Sequence, residues 1–219
     1  MKPDYQRAAI AAAETLIKHG IKAAPVSPLP ILKNTPGVIV VSYEEMSEEM
    51  GMDRDCVISM FGQGNRDAFT SVNIVNGKKQ YLVTYNRYLP YHIIQRALAR
   101  ELGHIVLGHD GSRPEEVRNE EAKAFAHHLL CPRPMIHAIH ATGIRLTKEV
   151  LGSMTNFTDV CMSCIRKTPA TDVPAEMNRM IRDNMMHYIL NFFSFQQAAM
   201  HKDGSALADL GTFMEGYAE

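Results

Sequence analysis

Apolar positions recur in two rhythms along the 219 residues, and the change of rhythm divides the chain. Ala8, Ala9, Ala12, Leu16 and Ile17 fall near one face of a helix predicted over 4–19, and Gly20 follows as its stop. Pro25, Pro28 and Pro30 mark a connector. Val38-Ile39-Val40-Val41 predicts a short buried strand, and residues 43–50 a short acidic helix. A β region comes next. Residues 56–60 read as a strand, and 68–75 and 79–86 flank Asn76-Gly77, a pair whose tolerance of positive φ favours a hairpin turn. Val72, Ile74, Tyr81, Val83 and Tyr85 alternate as half-buried strands do.

After Pro90 the rhythm is helical. Pro90 suits the first turn of a helix running to Gly108. A second helix is expected over 114–130, stopping at Cys131-Pro132. Shorter helices follow near 134–141, 147–154 and 158–167, and longer ones over 173–192 and at the C-terminal end. Lys167-Thr168-Pro169-Ala170-Thr171 is the best candidate linker. The fold class is therefore α+β, with a small, mainly antiparallel sheet laid on the 90–108 helix and a helical C-terminal part.

Composition narrows the picture. With 46% hydrophobic and 21% charged residues, the chain has enough apolar material for a sizeable core and little reason to be disordered. A net charge of -1 gives no broad basic surface for nucleic acid. No apolar run is long enough to span a membrane. Met1-Lys2-Pro3-Asp4-Tyr5 lacks the features of a signal peptide, so a cytoplasmic location with reduced cysteines is expected. Cys161-Met162-Ser163-Cys164 has no second cysteine pair to complete a zinc site and no preceding strand to make it a redox motif. It reads as two small apolar residues on a helix.

The segment that carries chemistry is Arg100-Glu101-Leu102-Gly103-His104. In an H-E-x-x-H helix two histidines one turn apart reach one Zn²⁺, and the glutamate takes a proton from the zinc-bound water. Here Glu101 and His104 are in place and arginine holds the first ligand position. The context makes the match specific. Tyr85-Asn86 ends the preceding strand, Gly108-His109 closes the helix, and Glu121-Ala122-Lys123-Ala124-Phe125-Ala126-His127-His128-Leu129-Leu130-Cys131-Pro132 follows.

In these paired motifs, and in its opening helix and Pro25-Val26-Ser27-Pro28 connector, the chain resembles the ImmA/IrrE-type metallopeptidases over about residues 5–165. The resemblance implies a zincin-like peptidase domain over 1–132, with 133–219 as a helical region packed on it. It implies Zn²⁺ as the cofactor, His104 as the second zinc histidine, Glu121 as the acidic third ligand and Glu101 as the general base. It also implies a protein partner, a repressor or other regulator, which complete members of the family cleave in phage, mobile-element or stress control.

Arg100 departs from that pattern. It stays protonated, offers a metal no lone pair and would repel a bound dication. Its guanidinium also suits a carboxylate, so Arg100 is expected to replace zinc electrostatically by pairing with Glu121 or Glu101. Three readings stay open. The chain is a degenerate peptidase fold that senses or binds a regulator; or it is an active zinc endopeptidase with His109 as the substitute ligand; or, third, Leu146–Leu151 and Asn156–Asp159 belong to a DNA-binding helix-turn-helix. His109 lies roughly 140° round the helix from His104, and reaches a shared metal only if the helix ends at Gly108. Otherwise it serves as a cap or hydrogen-bonding residue.

Overall fold

A computed structural model describes residues 2–64, 66–155 and 173–200. The first helix, α1 (Tyr5–Lys18), is capped by the Asp4 carboxylate, which accepts from the Arg7 N–H. Its alanine-rich face is buried, and Gly20 ends it at φ +57°. The proline connector contains a short helix that sequence reasoning did not expect, α2 (Pro28–Lys33), with Pro28 at its first position. Strand β1 (Val38–Ser42) runs directly into α3 (Tyr43–Met50). Ser42 and Glu45 close a reciprocal capping box at that junction.

The strand expected over 56–60 is instead part of a helix, α4 (Arg54–Phe61). Asp53 caps it, and Val57 and Ile58 are buried with Phe61 packed beside them. That spacing is helical, but an apolar run this short does not distinguish helix from strand.

Strands β2 (Ala68–Val75) and β3 (Lys78–Tyr85) form the hairpin, with Asn76 and Gly77 at φ +51° and +74°. The sheet order is β1-β3-β2. Eight residue pairs join β2 and β3 antiparallel, from Ala68↔Tyr85 to Val75↔Lys78. Five join β1 and β3 in parallel, from Val38↔Tyr81 to Ser42↔Tyr85. The sheet is therefore mixed. The expected alternation of burial does not hold: Phe69, Thr70 and Ser71 are all half-buried, and the neighbours Val83 and Thr84 are both buried. Val72 and Ile74 are 56% and 69% exposed: Ile74 pairs with Lys79, beyond the start of β1, and Val72 lies in the edge strand level with Val38.

Helices α5 (Tyr91–Val106) and α6 (Glu115–Leu130) lie against each other behind the sheet. Gly103 allows this close approach: a Cβ there would meet Phe125 Cδ1 at 3.0 Å. Next come α7 (Arg133–Ala141), α8 (Lys148–Thr155), α9 (Ala175–Asn184) and α10 (Met186–Met200). The single helix expected over 173–192 is thus two, interrupted at Met185, and no glycine or proline marks the break. Cys161, Cys164 and the helix expected over 158–167 lie outside the described residues. One hydrophobic cluster runs from Ala8 of α1 through Leu98, Phe125 and Met135 to Phe193 of α10. Among the described residues, no helix is long and apolar enough to cross a membrane.

Candidate functional site

The site is built from the C-terminal turn of α5, the first half of α6 and the first turn of α1. Arg100 and His104 stand one turn apart on α5. The end of that helix explains where His109 goes. Gly108 takes φ +62°, the Gly108 N–H bonds to Ile105 O, and the His109 N–H bonds to His104 O at 2.9 Å. This pair of bonds around a left-handed glycine is a Schellman cap. It folds the chain back so that the His109 ring meets His104 edge-on, with ring centroids 5.0 Å apart.

The two imidazoles and Glu121 form a hydrogen-bonded chain. His104 Nδ1 and His109 Nδ1 are 2.9 Å apart, and His109 Nε2 lies 3.0 Å from Glu121 Oε2. Burial lowers the basicity of both histidines. His104, under the further charges of His109, Arg100 and Arg118, is held down at about 4. For His109 burial outweighs the opposing pull of Glu121. Each ring therefore carries one proton at neutral pH. The Glu121 carboxylate accepts, so the His109 proton sits on Nε2, and His109 Nδ1 accepts from the His104 Nδ1–H. The lone pair on His104 Nε2 is left over.

Glu121 is 1% exposed and heavily engaged. Arg113 Nη1 donates to Oε2 at 2.7 Å, and the Asp4 backbone N–H donates to Oε1 at 2.7 Å. Arg7, one turn further along α1, donates to the Leu107 carbonyl. The first turn of α1 is thereby fastened over the site from both sides.

Arg100 does not do what its position led us to expect. It forms no ion pair with Glu121 or Glu101 among the described residues, and its Nε is buried without a hydrogen-bond partner. Arg113, entering from the loop before α6, already occupies Glu121. Arg118 Nε is likewise buried and unpartnered. Glu101 faces the sheet, where the Thr70 hydroxyl of β2 donates to its Oε2 at 2.8 Å. Burial pushes its carboxyl up to about 7, against the opposing effects of Thr70 and Arg100.

The structure thus brings together His104, His109 and Glu121, and sets Glu101 apart on the sheet side. Sequence reasoning missed Arg113, Arg118, Thr70 and the Asp4 N–H. Arg113 stands eight residues before Glu121 in a loop, and a backbone N–H from 117 residues away has no sequence signature.

A catalytic zinc needs three side-chain lone pairs converging on one point. Arg100 supplies none. The two ring nitrogens of His109 serve different partners, and both oxygens of Glu121 hold donors. Arg7, Arg100, Arg113 and Arg118 add positive charge around the same point. Among the described residues, no group of three or more His, Cys, Asp or Glu side chains is placed to hold a metal ion. As arranged, these residues do not fit zinc.

A small sheet laid on a helix with Glu101 and His104, and a second helix presenting Glu121, make a zincin-like α+β metallopeptidase fold. Residues 62–157 match the family model described as the IrrE N-terminal-like domain, and over that stretch the chain is similar to the ImmA/IrrE-type metallopeptidases. No curated protein and no solved structure matches the chain.

Proposed function

We propose that the chain is a degenerate metallopeptidase-fold protein that senses or binds a regulatory protein without cleaving it. The observation that carries this reading is the hydrogen-bonded chain from His104 through His109 to Glu121, closed by Arg113 and the Asp4 N–H. In a zinc peptidase the corresponding carboxylate and histidine point their lone pairs at a metal. Here the lone pairs of Glu121 hold the first turn of α1 and the loop before α6 in place. The dication is replaced by fixed guanidinium charge, contributed by Arg113 at Glu121 and by Arg100 and Arg118 near His104. The resemblance to family members that act on repressors supports a protein regulator as partner and a cytoplasmic setting.

One observation favours a second reading, an active zinc endopeptidase. His109 does reach His104 and Glu121, so a third donor stands beside them. Zinc would then have to break the His104–His109 contact and displace two donors from Glu121. Metal content separates the readings. Protein purified without chelator should carry far less than one zinc per chain, and added zinc should not produce hydrolysis of a quenched fluorescent peptide. Stoichiometric zinc with peptide hydrolysis would replace the first reading by the second.

A further inference from the structure

Away from the zinc-type position, α1, α6, α7 and α9 enclose a cavity of about 500 Å³. That lies within the range, roughly 300–1,000 Å³, of ordinary small-molecule sites. One wall is apolar and built from short side chains, Ala9 and Ala13 of α1 with Ala138 and Ala141 of α7. The other wall is cationic. Arg133, Arg179 and Arg182 line it, and no Asp or Glu is among the described residues that do. Arg182 is paired with its exposed neighbour Asp183, and Arg179 has no ion pair among the described residues.

Two further features point to a ligand. Arg133 and Ala175, the first residues of α7 and α9, both line the cavity. Neither helix has a side-chain cap among the described residues, so both starts turn the positive ends of their dipoles to this wall. His128 of α6 also lines the cavity, is 6% exposed, and has a buried Nε2 with no hydrogen-bond partner. An orphan nitrogen at that depth is costly unless something reaches it. Burial, with the charges of Arg133 and His127, keeps this imidazole neutral, with a pKa of about 4. It can therefore exchange a hydrogen bond without adding charge.

We propose that this cavity binds a small organic anion. Its carboxylate or phosphate lies against Arg179, Arg182, Arg133 and the two helix starts, its compact apolar body on the alanine wall, and a polar atom on His128 Nε2. The same α1 and α6 carry Asp4, Arg7 and Glu121, so occupancy of the cavity reaches the zinc-type position through shared helices. That link rests on the binding-module reading and gives it a signal to sense; the binding site itself does not depend on it.

The chain contains no tryptophan, so a naphthyl probe can be read by its own emission. The full chain is titrated with 2-naphthoate, 2-naphthyl phosphate and the neutral 2-naphthamide. One or both anions should bind saturably, the tighter naming the anionic group, and the amide should bind about tenfold more weakly or worse. Replacing Arg179 and Arg182 together by alanine should weaken the anion by about tenfold or more. Ala138→Phe should fill the cavity and abolish binding. Equal affinity for amide and anions, a folded Ala138→Phe protein that binds like the parent, or no saturable binding by any probe would overturn the proposal. Should Ala138→Phe fail to fold, the paired arginine variant, at an exposed and a half-buried position outside the hydrophobic core, decides. Zinc content of the same preparations reports separately on the proposed function.

Discussion

Glu101→Gln should make the protein more stable at neutral and alkaline pH, and the gain should itself depend on pH. In the fold, burial raises the Glu101 carboxyl to about 7 from an ordinary value of 4.5. A raised folded-state pKa means that the protonated acid is accommodated and the ionised one is penalised. The group's stabilising contribution is thus present below the unfolded pKa and is lost as pH rises through the folded one. Across the whole window the loss is roughly 3 kcal/mol, and between about pH 5 and pH 8 it is roughly 2–3 kcal/mol. Glutamine keeps an oxygen to accept from Thr70 Oγ1 and cannot ionise. His104 and His128, with pKa values of about 4, titrate in the opposite sense: they lose stability as pH falls. The quantity to read is therefore the difference between parent and variant, from urea melts at both pH values. That difference should grow by roughly 2–3 kcal/mol on going from about pH 5 to about pH 8. A difference that is constant with pH would refute a buried, protonated Glu101.

Two further outcomes follow from the same geometry. Arg113→Ala removes the guanidinium from a carboxylate that is 1% exposed and should cost about 2 kcal/mol in chemical denaturation, since a hydrogen bond to a charged group is lost. No loss would mean that the Asp4 N–H and His109 suffice to hold Glu121. Gly77→Val forces a β-branched side chain to φ +74° and should cost about 1–2 kcal/mol, read by the same melts. A neutral result would mean that the turn re-forms in another geometry.

The parts of the fold that were legible in the sequence are those with strong local signatures. The Asn76-Gly77 hairpin, the helix ending near Gly108 and the paired motifs around His104 and Glu121 each rest on a few adjacent residues. The helix over 54–61 was misread because a short apolar stretch, Cys56-Val57-Ile58 with Met60-Phe61, fits either period, and the deciding feature is the Asp53 cap. The exposure of Ile74 depends on how far β1 extends along its neighbour, and that of Val72 on its place in the edge strand, neither of which alternation alone contains. At the site, Arg100 stands near His104 with no acidic partner among the described residues, and the partners of Glu121 come from a loop and from the chain's own first turn. Tertiary closure decides such pairings, and His109 became readable only through the left-handed Gly108 that turns it back over His104.

Zinc affinity of three proteins, the parent, Arg100→His and Arg100→Ala, tests the central claim most directly. Arg100→His adds a ligand one turn before His104 and removes a fixed positive charge, whereas Arg100→Ala removes only the charge. Each is purified without chelator, analysed for metal, titrated with zinc and melted with and without it. The account predicts little zinc in the parent, a modest gain in Arg100→Ala, and an affinity in Arg100→His about 100-fold or more above the parent, with a matching zinc-dependent rise in Tm. A parent protein that already holds one zinc per chain, and loses it on His104→Ala or Glu121→Ala, would contradict the account and make His109 the ligand to test next.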